Sequence, residues 1–335
     1  MADFDNLRLE KGMYAGNSFT ATLERLDPSE HYKGTALEGL DAYQRQLKRF
    51  GIRVSGPGSD IVDKFFSTGD SAVLFPEYVS RAVRQGLEQA NLLPKLVASV
   101  TNIDGIDYRS VASVPSEDEK ELKIVGEGAF IPETNVRTKE NLVRLRKRGR
   151  TLVASYEAIK YQRLDLFTVT LRQIGAYIAR TQLKDAIDVL VNGDGNNNAA
   201  PVSSCGSPGL LTYEDLVDLW NSFDPYEMNT LLAGANAMAS LLIMDEFRDG
   251  AAGLTFHGTG KAITPLGATL LKSNAVGDGK LLALDRTAAL EMVKAGDVTT
   301  EYDKLIDRQL ERAVISCTAG FSKLFDGAAK VLTIF

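Results

Sequence analysis

Residues 124–195 read IVGEGAFIPETNVRTKENLVRLRKRGRTLVASYEAIKYQRLDLFTVTLRQIGAYIARTQLKDAIDVLVNGDG. Two patterns meet in this stretch. From Tyr161 to Val191 apolar residues recur at helical spacing: Leu164, Phe167, Leu171, Ile174 and Ile178 form one stripe, and Leu183, Ile187 and Leu190 continue it after a one-residue slip. At 1.5 Å per residue the predicted helix is about 45 Å long, well beyond the usual globular length. Gly193 follows as the residue that stops it. Upstream the period is two. Arg144, Arg146, Arg148 and Arg150 share one face of an extended segment, with Val143 and Leu145 on the other.

Working outward, residues 96–114 (LVASVTNIDGIDYRSVASV) are rich in Val, Ile, Thr and Tyr and suit strand. They lead to a polar tip that includes Glu117, Asp118 and Glu119, and the chain then returns through Val125 and a Gly126-Glu127-Gly128 kink to Val136–Ser155. This predicts a long two-stranded ribbon, marginal alone in water and in need of a surface to lie on. Its returning strand concentrates charge: Arg137, Lys139, Arg144, Arg146, Lys147, Arg148 and Arg150 stand against Glu140 alone. A solvated face is the plain reading. The functional one makes Arg137, Arg144, Arg146, Arg148 and Arg150, with Glu117, Asp118 and Glu119, inter-subunit contacts.

Before the ribbon, residues 1–72 read as a poorly packed arm with one amphipathic helix over Ala36–Phe50, which needs something to hold it down, a neighbouring chain being one candidate. A helix is expected over Pro76–Leu93, with Val79, Val83, Leu87 and Ala90 in register. After the long helix, Thr212 is the expected N-cap of another helix, with Asp215 three positions on. Residues 281–293 and Ala313–Phe335 read as strands; the latter are too apolar to form a free tail. The chain is thus α+β.

The 335 residues suit about two domains, and 44% hydrophobic with 24% charged content is ordinary for a globular protein. A net charge of −6 argues against nucleic acid as the main ligand. Cys205 and Cys317 make no disulfide framework, and with only His31 and His257 a zinc site is not expected. The N-terminus lacks an apolar signal core, and no run is long and apolar enough for a membrane span, so an aqueous intracellular location is expected.

Chemical motifs fail on inspection. Gly258-Thr259-Gly260-Lys261 lacks the first glycine and the Ser or Thr of a phosphate loop. Asn192–Ser203 resembles a calcium loop only at its start, since Asn197 stands where Gly is required and Ser203 where Glu is. Asp285, Glu301 and Asp303 have no placeable acid–base partner and default to surface carboxylates, and neither Cys has a His nearby. No catalytic residue, cofactor or metal is assigned.

The order of these features resembles a tailed-bacteriophage major capsid protein of the Hong Kong ninety-seven-like shell fold. The resemblance rests on Gly126-Glu127-Gly128 to Ile131-Pro132-Glu133, on Val153-Ala154-Ser155-Tyr156-Glu157 running into the long helix, and on its end at Leu190–Gly195. Phe75-Pro76-Glu77-Tyr78-Val79, Asp285-Arg286 and Val298–Tyr302 agree in the flanks. It implies an N-terminal arm (1–72) and a peripheral domain over 73–211, carrying an extended loop at about 100–152 and a spine helix at about 160–192. It further implies an axial domain (212–280) and returning strands (281–335). The implied function is a non-enzymatic subunit that assembles with itself into hexamers and pentamers, forming an icosahedral head that matures from a procapsid and encloses double-stranded DNA. The implied partners are a portal, decoration proteins where they occur and no membrane; the place is the virion capsid, after synthesis in the host cytoplasm. In the type member a loop Lys is joined covalently to an Asn of another subunit. Residues 128–133 contain no Lys, with Lys120, Lys123 and Lys139 only nearby, so that cross-link is not expected. No long helical N-terminal segment is present either, so a separate scaffolding protein is implied. An encapsulin-like compartment shell and, from another class, a soluble α+β enzyme are the alternatives.

Overall fold

A computed structural model describes residues 4–14, 19–112, 124–131, 133, 137–248 and 262–334. The helices are α1 (Phe19–Leu26), α2 (Ala42–Arg49), α3 (Gly69–Ala72), α4 (Phe75–Ala90), α5 (Tyr156–Tyr161), α6 (Leu164–Asn192), α7 (Tyr213–Asn221), α8 (Ala235–Ile243) and α9 (Asp245–Arg248). The strands are β1 (Ser99–Asn102), β2 (Val111–Ala112), β3 (Arg137–Thr138), β4 (Arg146–Ser155), β5 (Val202–Ser204), β6 (Thr230–Ala233), β7 (Thr269–Lys272), β8 (Lys280–Leu284), β9 (Leu290–Lys294), β10 (Thr299–Leu305), β11 (Leu310–Lys323) and β12 (Ala329–Thr333). Two compact units result: Met1–Ala90 with Arg148–Ala179 and Val298–Cys317, and Asn91–Lys147 with Arg180–Asp297 and Thr318–Phe335.

In the first unit, α4 and the N-terminal half of α6 touch backbone to backbone. A Cβ on Gly86 would lie 2.0 Å from Arg172 O, and one on Gly175 would lie 1.9 Å from Val83 O. Only glycine lets two helix axes approach this closely. Around the crossing, Phe65, Phe75, Val79, Val83, Leu171 and Ile174 are buried, and β10 pairs antiparallel with the first half of β11, Thr299 opposite Ser316.

The N-terminal residues correct the expectation of a poorly packed arm. Leu9, Phe19, Leu23, Tyr43, Val62 and Phe65 are buried in the same core as α4. Arg45 is fully buried: its Nε donates to Asp27 Oδ2 at 2.8 Å, its Nη1 donates to Leu40 O at 2.7 Å, and it lies 4.2 Å from the Tyr32 ring centroid. Arg81 of α4 donates to Asp41, Glu77 and Thr20, tying the segment to α4. The helix expected over Ala36–Phe50 is shorter. Gly39 turns at φ +82°, and Asp41 then starts α2 through a capping box with Gln44.

In the second unit the sheet runs β5-β12-β8-β6-β7. β5 and β12 are parallel (Val202 beside Val331), whereas β12 and β8 are antiparallel. Leu216, Leu219, Leu241 and Phe247 of α7, α8 and α9 share a core with Leu231, Ala283 and Leu332 of the sheet. The C-terminal half of α6 buries Leu183, Ala186, Ile187 and Leu190 in a core shared with Leu290, Met292 and Phe321. β1 lies parallel to β9, and the second half of β11 antiparallel to it. The C-terminal strands are packed as expected, except that Val314 is exposed. Asp285 corrects the surface default. It is buried and receives Asn229 Nδ2 at 2.8 Å, Thr287 Oγ1 at 2.6 Å and Thr287 N at 2.9 Å. Burial opposes its charge, but these donors win and hold its pKa below the ordinary value.

Candidate assembly surface

The ribbon begins where β2 and β3 pair antiparallel, Val111 opposite Thr138. Two buried polar networks hold this base. Lys139, directly after β3, sends its Nζ 2.6 Å to Asp194 Oδ2, just past the end of α6, and also donates to Lys323 O. The same carboxylate oxygen accepts from Ser322 Oγ at 2.9 Å and Lys323 N at 3.1 Å, and Oδ1 accepts from Asn196 Nδ2 at 2.9 Å. Burial alone would raise the Asp194 pKa; the Lys139 and Asn196 hydrogen bonds, the Lys139 charge and Ser322 outweigh it and hold the group at about 2. Gly193, at φ +86°, closes the helix and aims Asp194 into this site. The calcium-like sequence is therefore a helix stop carrying a buried salt bridge. Lys323 lies beside it with Nζ donating to Asn198 O at 3.0 Å; burial pulls its pKa down to about 8 against the attraction of Asp326 and Asp194.

The second network centres on Glu291 of β9. It accepts from Tyr108 OH at 2.8 Å, from Thr101 Oγ1 and from Ser110 Oγ. Burial, then the hydrogen bond to the Glu291 carboxylate, raises the Tyr108 pKa. Thr101, Tyr108 and Ser110 all belong to the outgoing limb, so this carboxylate fixes that limb as Asp194 fixes the returning one.

Beyond Lys139 the predicted alternation holds at first, with Val143 buried, Arg144 exposed and Leu145 half-buried, and then reverses: Arg146 and Arg148 are half-buried and Lys147 is exposed. β4 then lies along β11 of its own chain. A Cβ on Gly149 would lie 2.7 Å from Ile315 O, so the arginine strand has its supporting surface within the subunit. The arginines divide. Arg146 donates to Asp185 of α6 and lies 3.6 Å from Asp188, a pairing within the chain. Arg148 is half-buried. Arg144 and Arg150 are exposed and form no ion pair among the described residues. Arg137 stands in β3 opposite Ala112. Glu117, Asp118 and Glu119 lie outside the described residues, as do His257 and the Gly258–Lys261 run. Exposed apolar side chains add to the charged row: Phe130 is 79% and Ile131 72% exposed in the returning limb.

The sequence offered no sign of Lys139, Asp194, Glu291 or Lys323 as a group, because Lys139 is 55 residues from Asp194 and 184 from Lys323. Among the described residues no three His, Cys, Asp or Glu side chains cluster as a metal site, and no helix is long and apolar enough to cross a membrane. Both cysteines are buried thiols. Burial, followed by the Asp215 charge, pushes Cys205 up to about 11, away from nucleophilic use.

Residues 138–320 match the model of a family described as phage capsid protein. Among curated proteins no sequence matches the chain. Solved structures resemble it as well, three of them as follows. The capsid of a native GTA particle has TM-score 0.53 at 14% identity, over 75% of this chain and 90% of that one. The virus-like particle from Pyrococcus furiosus has TM-score 0.52 at 15% identity, over 76% and 98%. Microbacterium phage Oxtober96 gives TM-score 0.52 at 12% identity, over 73% and 91%. At such identities the likeness is one of fold.

Proposed function

The chain belongs to the phage capsid protein family and has the α+β Hong Kong ninety-seven-like shell fold, and from that premise we propose that it assembles with itself into hexamers and pentamers closing an icosahedral head around double-stranded DNA. It is a structural capsid protein and not an enzyme. The observation that carries the proposal is the family match, which spans the returning limb from Thr138 onward, the whole of α6 and most of β11. In this reading the extended loop crosses an adjoining subunit, residues 212–280 line the capsomer centre, and a separate scaffolding protein and a portal complete assembly in the host cytoplasm. Arg144 and Arg150 meet carboxylates of the neighbour. The lumenal surface is neutral to negative, because every Lys–phosphate contact releases counterions and would bind the genome to the wall.

Electron microscopy of particles from cells producing the complete head tests this. Closed shells with six- and five-fold capsomers and nuclease-protected double-stranded DNA are expected. A subunit that stays monomeric under all assembly conditions overturns the shell, and shells holding protein cargo without DNA overturn the genome.

A further inference from the structure

The β5 strand ends its sheet on the side away from β12. Its neighbours show which backbone groups are used. Val331 N donates to Pro201 O at 2.9 Å, and Cys205 N donates to Thr333 O at 3.0 Å. Along a parallel ladder alternate residues bond to the same side, so residues 201, 203 and 205 face β12. The N–H and C=O of Val202 and Ser204 point the other way, and among the described residues no strand covers them. Val202 is 64% exposed, and Ser203 and Ser204 are exposed too. Natural sheet edges are usually blunted by charge, proline or a covering element. Within this strand neither charge nor proline is present.

A cleft of about 540 Å³ adjoins this edge on the side facing α7. Ser203 lies opposite Leu332, which packs in one core with Leu216 and Leu219 of α7, so Ser203 shares the α7 face of the sheet. Glu214 and Asp218, one turn apart on α7, are exposed and line the cleft. Among the described residues the one cation lining it, Lys330, is already committed: its Nζ donates to Ser222 O and lies 5.4 Å from the Phe223 ring centroid. The spacing is fixed in advance, since Asp215 caps α7 through Thr212 and accepts from Gly206 N at 2.9 Å in the loop leaving β5.

We propose that the β5 edge docks an extended segment of a partner protein, which adds a strand beside Val202–Ser204 and places one Lys or Arg, flanked by β-branched residues, between Glu214 and Asp218. Main-chain pairing supplies affinity to such added strands and alternate side chains supply selectivity. The residue beside Ser203 enters the acidic cleft. Its two neighbours turn to the opposite face, where Val202 offers apolar contact.

The probe is a fluorescent heptapeptide, Thr-Thr-Val-Lys-Val-Thr-Thr, titrated by anisotropy against the full-length unassembled subunit. This readout is independent of particle formation, so its failure leaves the shell reading untouched. Saturable binding is expected, weakened at least about tenfold when the peptide Lys becomes Glu. On binding, amide exchange should slow at Val202 and Ser204. Val202→Pro removes an outward N–H without breaking a bond to β12 and should abolish binding. Glu214→Lys with Asp218→Lys, both on the surface, should remove the preference for Lys while the circular dichroism spectrum stays unchanged. No saturable binding, equal binding of the two peptides, or an unchanged preference in the α7 double variant overturns the proposal. So does protection of the Val202 and Ser204 amides that rises with subunit concentration alone, which would make a second copy the occupant.

Discussion

The α4–α6 crossing and the base of the ribbon hold the chain together by opposite means. At the crossing, backbone meets backbone at Gly86 and Gly175, and aromatic and aliphatic side chains fill the surroundings. At the ribbon base, two buried carboxylates, Asp194 and Glu291, gather donors from both limbs. Steric fit does not titrate and has no give. A buried ionic network is directional and can pin a loop whose own strand pairing is two residues long, but it depends on every partner and on pH. The first unit relies on the former at its helix crossing, and the second unit relies on the latter at the ribbon base.

The crossing is where a substitution should do most. Gly175→Val adds a branched side chain where even a Cβ lies 1.9 Å from Val83 O, and no flexible group can yield. The expected loss exceeds about 4 kcal/mol, beyond ordinary overpacking, and leaves the first unit unfolded. Urea titration followed by near-ultraviolet circular dichroism checks it; a parent-like midpoint would mean that the helices do not approach so closely.

Next comes the ribbon base. Asp194→Ala leaves the Lys139 ammonium buried without its counter-ion and should cost about 3–5 kcal/mol. Lys139→Met with Asp194→Leu should recover most of that loss, because an apolar pair of similar volume avoids the buried charge. Failure to recover would show that Ser322, Lys323 and Asn196 need the carboxylate for itself.

Acid separates the two regions without mutation. Asp194 titrates at about 2 when folded against an ordinary 3.8, so the unfolded chain binds the proton more readily. The group's stabilisation is present above about pH 4 and is lost as pH falls towards 2, amounting to about 2 kcal/mol. Protection factors for amide exchange at Lys323 and Asn196 should fall over that window ahead of those at Leu171 and Ile174 of the crossing. A simultaneous fall would refute the division.

What the sequence disclosed follows from the range of the forces involved. The long helix is predicted over Tyr161–Val191 and runs Leu164–Asn192, with its Gly193 stop and the Thr212–Asp215 cap in place, because periodicity and caps act within a few residues. The N-terminal packing was illegible. Leu9 lies in irregular chain, Phe19 opens the two-turn helix α1, and Val62 and Phe65 share a single 3-10 stretch, so no common period links them, and Arg45 looks like any surface arginine until Asp27 and Tyr32 fold around it. The same limit hid the glycine crossing and the Lys139–Asp194 pair, whose partners meet only in the tertiary fold. For the arginine row, alternation put the arginines on one face but did not give that face's surroundings: Arg146 and Arg148 are half-buried, as are Leu152 and Ala154 further along it, whereas Lys147 on the other face is exposed. Alternation could not divide Arg146, paired with Asp185, from exposed Arg144 and Arg150.

That division yields the smallest effect on the subunit and the sharpest test of the surface. Arg144→Glu with Arg150→Glu changes two exposed side chains that form no ion pair among the described residues, so subunit stability should move by no more than about 0.5 kcal/mol. Arg146→Glu sets a carboxylate against Asp185 and Asp188 and should cost more within the subunit itself, about 1–3 kcal/mol. Assembly should rank the variants the other way. An exposed pair is worth about 0–1 kcal/mol, yet a shell repeats each contact in every subunit, and guanidinium binds carboxylate through two parallel hydrogen bonds. Light scattering during assembly should therefore show the Arg144/Arg150 double variant slowed or blocked, with parent assembly also weakening as salt rises. Arg146→Glu, once allowance is made for its lower subunit stability, should assemble at a rate nearer the parent's. If the double variant forms particles of normal size and heat resistance, the exposed arginines only solvate the strand, and the contacts that join subunits must be sought among Phe130, Ile131 and the other apolar side chains of the loop.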